Sequence, residues 1–176
     1  TIAMQVLNRL FTRQDVYAML EAGIVREDEK LELINGELVK MPSDPLHGGT
    51  IYNLAEVLRK ELASFEVMVR EEKDFWLPDL RQLYLPDIAV VKPFNHLERH
   101  PEPSDTYLVI EVAYSSLSKD IVDKLPNYLA AGIREIWIVD LKQKMIRVYR
   151  QEKTLELPFG TAFAPLAFSD IKRVWI

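Results

Sequence analysis

Residues Tyr107-Leu-Val-Ile-Glu-Val-Ala113 form an almost unbroken apolar run with a single carboxylate in the middle. A run this short reads as a strand covered on both faces, because a half-solvated strand would alternate apolar and polar residues. Such a strand needs other layers above and below it, which constrains the whole chain to a layered architecture. It also sets an electrostatic problem. A carboxylate buried at Glu111 must be paired, protonated or bound to a metal, because burying it bare costs too much.

The rest of the chain supplies candidate layers. Thr12 reads as an N-cap, with Asp15 in the first turn and Val16, Met19 and Leu20 at helical spacing, and Gly23 closes this short helix. Asn35-Gly36 between Leu31–Ile34 and Glu37–Val39 is a strong hairpin signal. Pro42 and Pro45 mark a loop. Ile51, Leu54, Ala55, Leu58 and Leu62 then recur at three- and four-residue steps and predict an amphipathic helix from about His47 to Phe65. Residues 67–77 and 85–91 read as strands, and 92–105, with three prolines, as a long loop. Ser118 can cap a helix running to about Ala131, closed by Gly132. Glu135–Asp140 reads as a buried strand paired with Met145–Arg150, and the tail as one or two short strands. The expected fold is α/β, one mixed sheet flanked by helices, in a single domain over residues 1–176.

Composition narrows the chemistry. The 176 residues are 48% apolar and 28% charged, an ordinary globular balance. Cys is absent, which excludes thiol nucleophiles, iron–sulfur clusters, zinc ribbons and disulfide scaffolds. No apolar run approaches the roughly 20 residues needed to cross a bilayer, and no secretory signal is visible, so a soluble, cytoplasmic protein is expected. The net charge is −5, and the first ninety residues carry 10 basic and 16 acidic side chains. A passive nucleic-acid binder usually shows a basic excess. The balance leaves room for a protein that meets phosphate through bound cations. Phosphate-cradling GxxxxGK and GxGxxG loops and a GxSxG nucleophile elbow are all missing.

Asp87, following Pro86 at the mouth of a buried strand, is the natural companion of Glu111. Two carboxylates on adjacent strands offer oxygen ligands to a hard cation such as Mg²⁺. A buried salt bridge, or a Glu reaching a solvated strand end, accounts for the same residues. Lys124 lies one helix after Glu111 and could cross over the carboxylates, or merely pair with Asp120 four residues back. Glu32 alternates with Leu31 and Leu33 and by that pattern faces water. His47, before Gly48-Gly49, reads as a helix-entry residue, and Asn35 and Gly36 as turn residues. His96 and His100 are four apart but lie in a proline-flanked loop and are set aside. Trp76, Trp137 and Trp175 read as core or interface anchors, and Lys142, Lys144, Arg147 and Arg150 as a solvated basic face.

Taken in order, several segments carry a family resemblance. They are Glu32-Leu-Ile-Asn-Gly-Glu37-Leu-Val-Lys-Met-Pro42 followed by His47, Leu85-Pro-Asp87-Ile-Ala-Val-Val91, Ile110-Glu111-Val-Ala113, Ser115-Ser-Leu117, Asp120, Lys124, Tyr128, and Ala131-Gly-Ile-Arg-Glu-Ile-Trp-Ile-Val-Asp140. This set, over roughly residues 10–150, resembles the Uma family, a group assigned to the restriction endonucleases within the PD-(D/E)XK nuclease superfamily. The resemblance implies a restriction-endonuclease-like core, a central mixed sheet with a helix on each side. It implies metal-dependent hydrolysis of nucleic acid, DNA first of all, by a homodimer. Asp87 and Glu111 would hold Mg²⁺ or Mn²⁺ with the backbone carbonyl of Val112. Asp87, Glu111, Lys124 and Glu32 would be the catalytic set, with His47 a neighbour. The superfamily's usual lysine stands two residues after the Glu, where this chain has Ala113. Lys124 on the following helix replaces it. Tyr114 and Lys119 also fill places where close relatives carry other residues, which bears on substrate contacts. No separate DNA-recognition domain is visible, so a self-contained restriction enzyme with a defined site is not expected. The alternative of another class is a catalytically silent binding or structural module on the same fold, acting as a dimer.

Overall fold

A computed structural model describes residues 3–41 and 44–176, so Pro42 lies outside the described residues. Helix α1 (Arg13–Glu21) starts at Thr12, whose hydroxyl accepts from the Asp15 N–H while Asp15 accepts from the Thr12 N–H, a reciprocal capping box. Strands β1 (Leu31–Ile34) and β2 (Glu37–Lys40) form the expected hairpin, with Asn35 and Gly36 both at positive φ. Helix α2 (Pro45–Glu61) begins earlier than the apolar periodicity shows. Pro45 suits the first turn, and the Asp44 side chain caps the helix by accepting from the His47 N–H at 3.0 Å. The helix stops at Glu61 rather than near Phe65.

Strands β3 (Met68–Glu71), β4 (Phe75–Trp76), β5 (Leu83–Tyr84) and β6 (Ile88–Val91) follow. A 3₁₀ turn at Pro103–Asp105 leads into β7 (Thr106–Ala113), helix α3 (Lys119–Ala130) and β8 (Glu135–Asp140). The chain ends with β9 (Met145–Arg150), β10 (Lys153–Pro158), β11 (Ala162–Phe163) and β12 (Arg173–Val174). The tail thus holds three strands, not one or two. The segment read as one strand over 67–77 is two, broken at Glu72, which takes a φ of 48°. The segment read as 85–91 starts after Asp87.

The expected mixed sheet has six strands in the order β10-β9-β8-β7-β6-β3. Only β7 and β8 run parallel, joined through α3 as a crossover. It is not the sole sheet: the hairpin joins β5 and β4 in a separate antiparallel sheet, β2-β1-β5-β4, and β11 pairs with β12.

Alternation along β7 divides the core. Leu108, Ile110 and Val112 pack with Ile51, Leu54, Ala55 and Leu58 of α2. Val109 and Ala113 pack with Ile121 and Tyr128 of α3. Glu111 has the parity of the α3 face. Residue 87 has the parity of Ala89, which packs in that same cluster. It also lies one step beyond the Ile88–Ile110 pair, opposite Glu111. Strand β1 is covered twice. Leu33 packs against Val16 of α1 while Ile34 joins the α3-side core, and Glu32 shares the parity of Ile34. Among the described residues, no helix is long and apolar enough to cross a membrane.

Gly36 is the strictest position of the hairpin. At φ +82° an added Cβ would stand 2.8 Å from the Leu10 Cβ. Gly23 has a similar φ of +72° but open space around it. Gly36→Ala is therefore expected to lose about 1–3 kcal/mol for the strained conformation plus the cost of the clash, and clearly more than Gly23→Ala. Urea unfolding of both variants measures this, and equal losses would contradict it.

Candidate active site

Lys124, on α3, is 1% exposed, which is rare for a lysine. Its Nζ lies 2.5 Å from Glu111 Oε1 and 2.7 Å from Glu32 Oε2. The rings of Tyr84 and Tyr128 close around the ammonium, with centroids at 5.2 and 5.8 Å. Tyr128, one helical turn beyond Lys124, donates to Glu111 Oε1 at 2.6 Å. Both contacts of Glu111 fall on Oε1. Strand β1 thus meets the consecutive elements β7 and α3 at one ammonium.

The charges explain the titration behaviour. Burial pushes Glu111 up to about 8; Lys124 opposes the shift, and Asp87 and Glu32 reinforce it. Glu32 is raised for the same first reason, burial. Burial pulls Lys124 down, but the two carboxylates outweigh it and hold the ammonium above its ordinary value. With Lys124 charged, one proton shared by Glu32 and Glu111 brings the cluster to zero net charge.

Asp87 stands in front of this cluster. Its Oδ2 accepts from the Val112 N–H at 2.6 Å and lies 3.3 Å from His47 Nε2. The hydrogen bond to Asp87 is the main reason that His47 is raised to about 9; burial opposes it. Glu72 arrives from the end of β3. Its N–H donates to the carbonyls of Pro86 at 3.0 Å and Asp87 at 3.3 Å, which pins the left-handed turn beside Asp87. One ligand atom from each of His47, Glu72 and Asp87 lies within 4.8 Å of the others. A cavity of about 20 Å³ lined by Glu32, His47, Glu72 and Asp87 has room for one water or ion. Lys30 pairs with Glu72 at its edge. On the other side Asp87, Glu111 and Val112 line a larger cavity of about 350 Å³. Carboxylate oxygens with one imidazole suit Mg²⁺ or Mn²⁺, the imidazole favouring Mn²⁺.

Asp87, Glu111 and Val112 therefore share one cavity wall, with Glu32 and Lys124 behind it. Lys124 pairs with Glu111 and Glu32 rather than Asp120, and Glu32 is 1% exposed rather than facing water. Asn35 is more than a turn residue: its Oδ1 accepts from Gln82 at 2.8 Å and from Asn127 of α3 at 3.0 Å. Glu72 and Tyr128 were given no role from sequence. The charged run Glu71-Glu72-Lys73-Asp74, inside an expected strand, is the signal that could have exposed Glu72. The late basic cluster is partly spent on structure, since Arg147 bonds Asp140 at 3.1 Å and Arg150 bonds Glu135 at 2.6 Å. His100 faces Asp74 at 3.7 Å and His96 lies against the Phe94 ring, each away from the acidic site. Trp137 and Trp175 stack in the core, and Trp76 donates to Tyr17 at 2.9 Å.

A six-stranded mixed sheet with a helix on each face, and acidic residues gathered at one strand end, defines a restriction-endonuclease-like α/β protein. The family model described as "Putative restriction endonuclease", Uma2, matches residues 14–172, and the chain belongs to that family. A crystal structure described as a putative nuclease belonging to DUF820, from Anabaena variabilis, is similar with a TM-score of 0.71 and 18% identity. The match covers 94% of this chain and 95% of that one, and at that identity the likeness shows the fold alone. No curated protein matches the chain significantly.

Removing the lysine leaves two buried carboxylates without a counter-charge. Lys124→Met is expected to cost about 3–5 kcal/mol at pH 8. The loss is smaller near pH 5. Lys124 opposes the rise of both carboxylates, so its removal raises them further, and by linkage the loss widens as pH climbs through the values they hold beside the ammonium, about 8 for Glu111. Urea unfolding at the two pH values checks this. A pH-independent loss would contradict it.

Proposed function

We propose that the chain is a metal-dependent nuclease that hydrolyses phosphodiester bonds of nucleic acid, with Mg²⁺ or Mn²⁺ held by Asp87, Glu111 and the carbonyl of Val112. The convergence of Asp87 and Glu111 on one cavity, with Lys124 fixed behind Glu111, carries the reading. His47 and Glu72 offer further donors beside Asp87. When bound, the cation would supply Lewis acidity toward a phosphodiester oxygen and a water of lowered pKa.

The chain's own residues do the rest. Asp87 is aimed by the Val112 N–H, and Glu111 by Lys124 and Tyr128, so neither carboxylate needs to reorganise. Lys124 does not line the cavity. Its part in this reading is to hold Glu111 and to offset negative charge that develops above it, rather than to touch the attacking water. Glu32 balances Lys124 from the second side and is a supporting residue.

Asp87→Ala and Glu111→Ala are each expected to abolish divalent-cation binding while circular dichroism stays unchanged. Calorimetric titration with Mn²⁺ reads this, and unchanged binding in both variants refutes the assignment. Incubation with plasmid, single-stranded DNA and RNA in Mn²⁺ separates the nuclease from a silent dimeric module. Cleavage lost in Glu111→Ala supports the enzyme. Cation binding without any cleavage supports the module.

A further inference from the structure

The 350 Å³ cavity has a shape and lining that bear on the substrate. Ile34, Val39, Leu46 and Leu141 give it apolar walls, and the buried Asp87 and Glu111 lie among the lining. That volume sits at the small end of the range of roughly 300–1,000 Å³ for small-ligand pockets. It is of the scale of one nucleotide. A duplex is far larger, since its major groove alone is about 12 Å wide.

Charge points the same way. Asp44, Asp120 and Asp123 also line the cavity. Lys40, His47 and Lys119 are the basic residues of the lining, fewer than its carboxylates, and the Nζ of Lys119 is paired with Asp123 at 2.6 Å. A duplex brings about one negative charge per 1.7 Å and would set flanking phosphates against these carboxylates. A single unpaired nucleotide brings one or two phosphates, which can meet the cation seat directly, and a flat base for the apolar walls.

Tyr114 supplies a platform. It follows β7 directly at the cavity lining and is 68% exposed, and its ring has no aromatic partner among the described residues. Its carbonyl accepts from the Lys142 N–H at 2.9 Å, so the backbone beneath the ring is held. We propose that the cavity takes one unpaired nucleotide stacked on Tyr114, and that the substrate class is single-stranded nucleic acid, or a single-stranded overhang, rather than continuous duplex. The proposal rests on the nuclease reading of the same site.

The test uses the full chain in Ca²⁺ with three fluorescent probes: a short oligothymidylate, the same length of oligouridylate, and a blunt hairpin duplex. At least one single strand is expected to bind about tenfold more tightly than the hairpin; Tyr114→Ala should remove about that factor, while Tyr114→Phe keeps it. The DNA and RNA arms show which sugar is accepted. Equal or tighter duplex binding, no binding to any probe, or an unaffected Tyr114→Ala variant would overturn the proposal. Cleavage of the same probes in Mn²⁺ separates the two readings. Single-strand binding that depends on Tyr114 without cleavage keeps the nucleotide pocket and sinks the nuclease. Cleavage that favours duplex does the reverse.

Discussion

One buried ammonium organises this protein. Lys124 sits between Glu111 of the large sheet and Glu32 of the small one, and each of the three is at most 3% exposed. Desolvating such a set is expensive, and apolar residues of similar volume would often serve stability as well or better. What the ion cluster provides instead is registry. It favours the arrangement in which β1, β7 and α3 meet with their polar positions aligned. A slip of one residue in either strand would turn its carboxylate to the opposite face.

The same contacts set the chemistry at the sheet end. Glu111 is held through Oε1 by Lys124 and Tyr128, which fixes its carboxylate beside the cavity it helps to line. Asp87 is held by the neighbouring strand's own backbone at Val112. Two acidic groups are thereby fixed beside one cavity without a direct bond between them, an arrangement unfavourable in itself that the proposed cation would relieve. His47, raised to about 9 chiefly by its bond to Asp87, stands beside the same carboxylate.

Much of this was legible in the residues. The apolar run at 107–113 announced a central strand, and the lone Glu111 within it a buried charge in need of a partner, which Lys124 supplies. The Asn35-Gly36 turn and the helices α2 and α3 follow from local physics, though α2 lies at Pro45–Glu61 rather than His47 to Phe65. Glu32 was not readable from alternation, because that pattern assumes one covered face, and β1 is covered on one face by α1 and on the other by the core beside α3. Glu72 was hidden by a left-handed kink that periodicity does not reveal. Spacing left two places open for Lys124, over the carboxylates or paired with Asp120, and only the packing of α3 on the sheet decides for Glu111 and Glu32. The basic residues at 147 and 150 read as solvent-facing until Asp140 and Glu135 are seen beneath them.

The account's central claim is that the lysine-backed carboxylates form a cation seat. Diffraction from crystals soaked in Mn²⁺, collected to reveal its anomalous signal, tests this most directly. The account predicts a peak in contact with both Asp87 and Glu111, with Lys124 still bonded to Glu111. A protein that crystallises intact but shows no peak there, or binds the ion only at residues remote from Asp87 and Glu111, would contradict it.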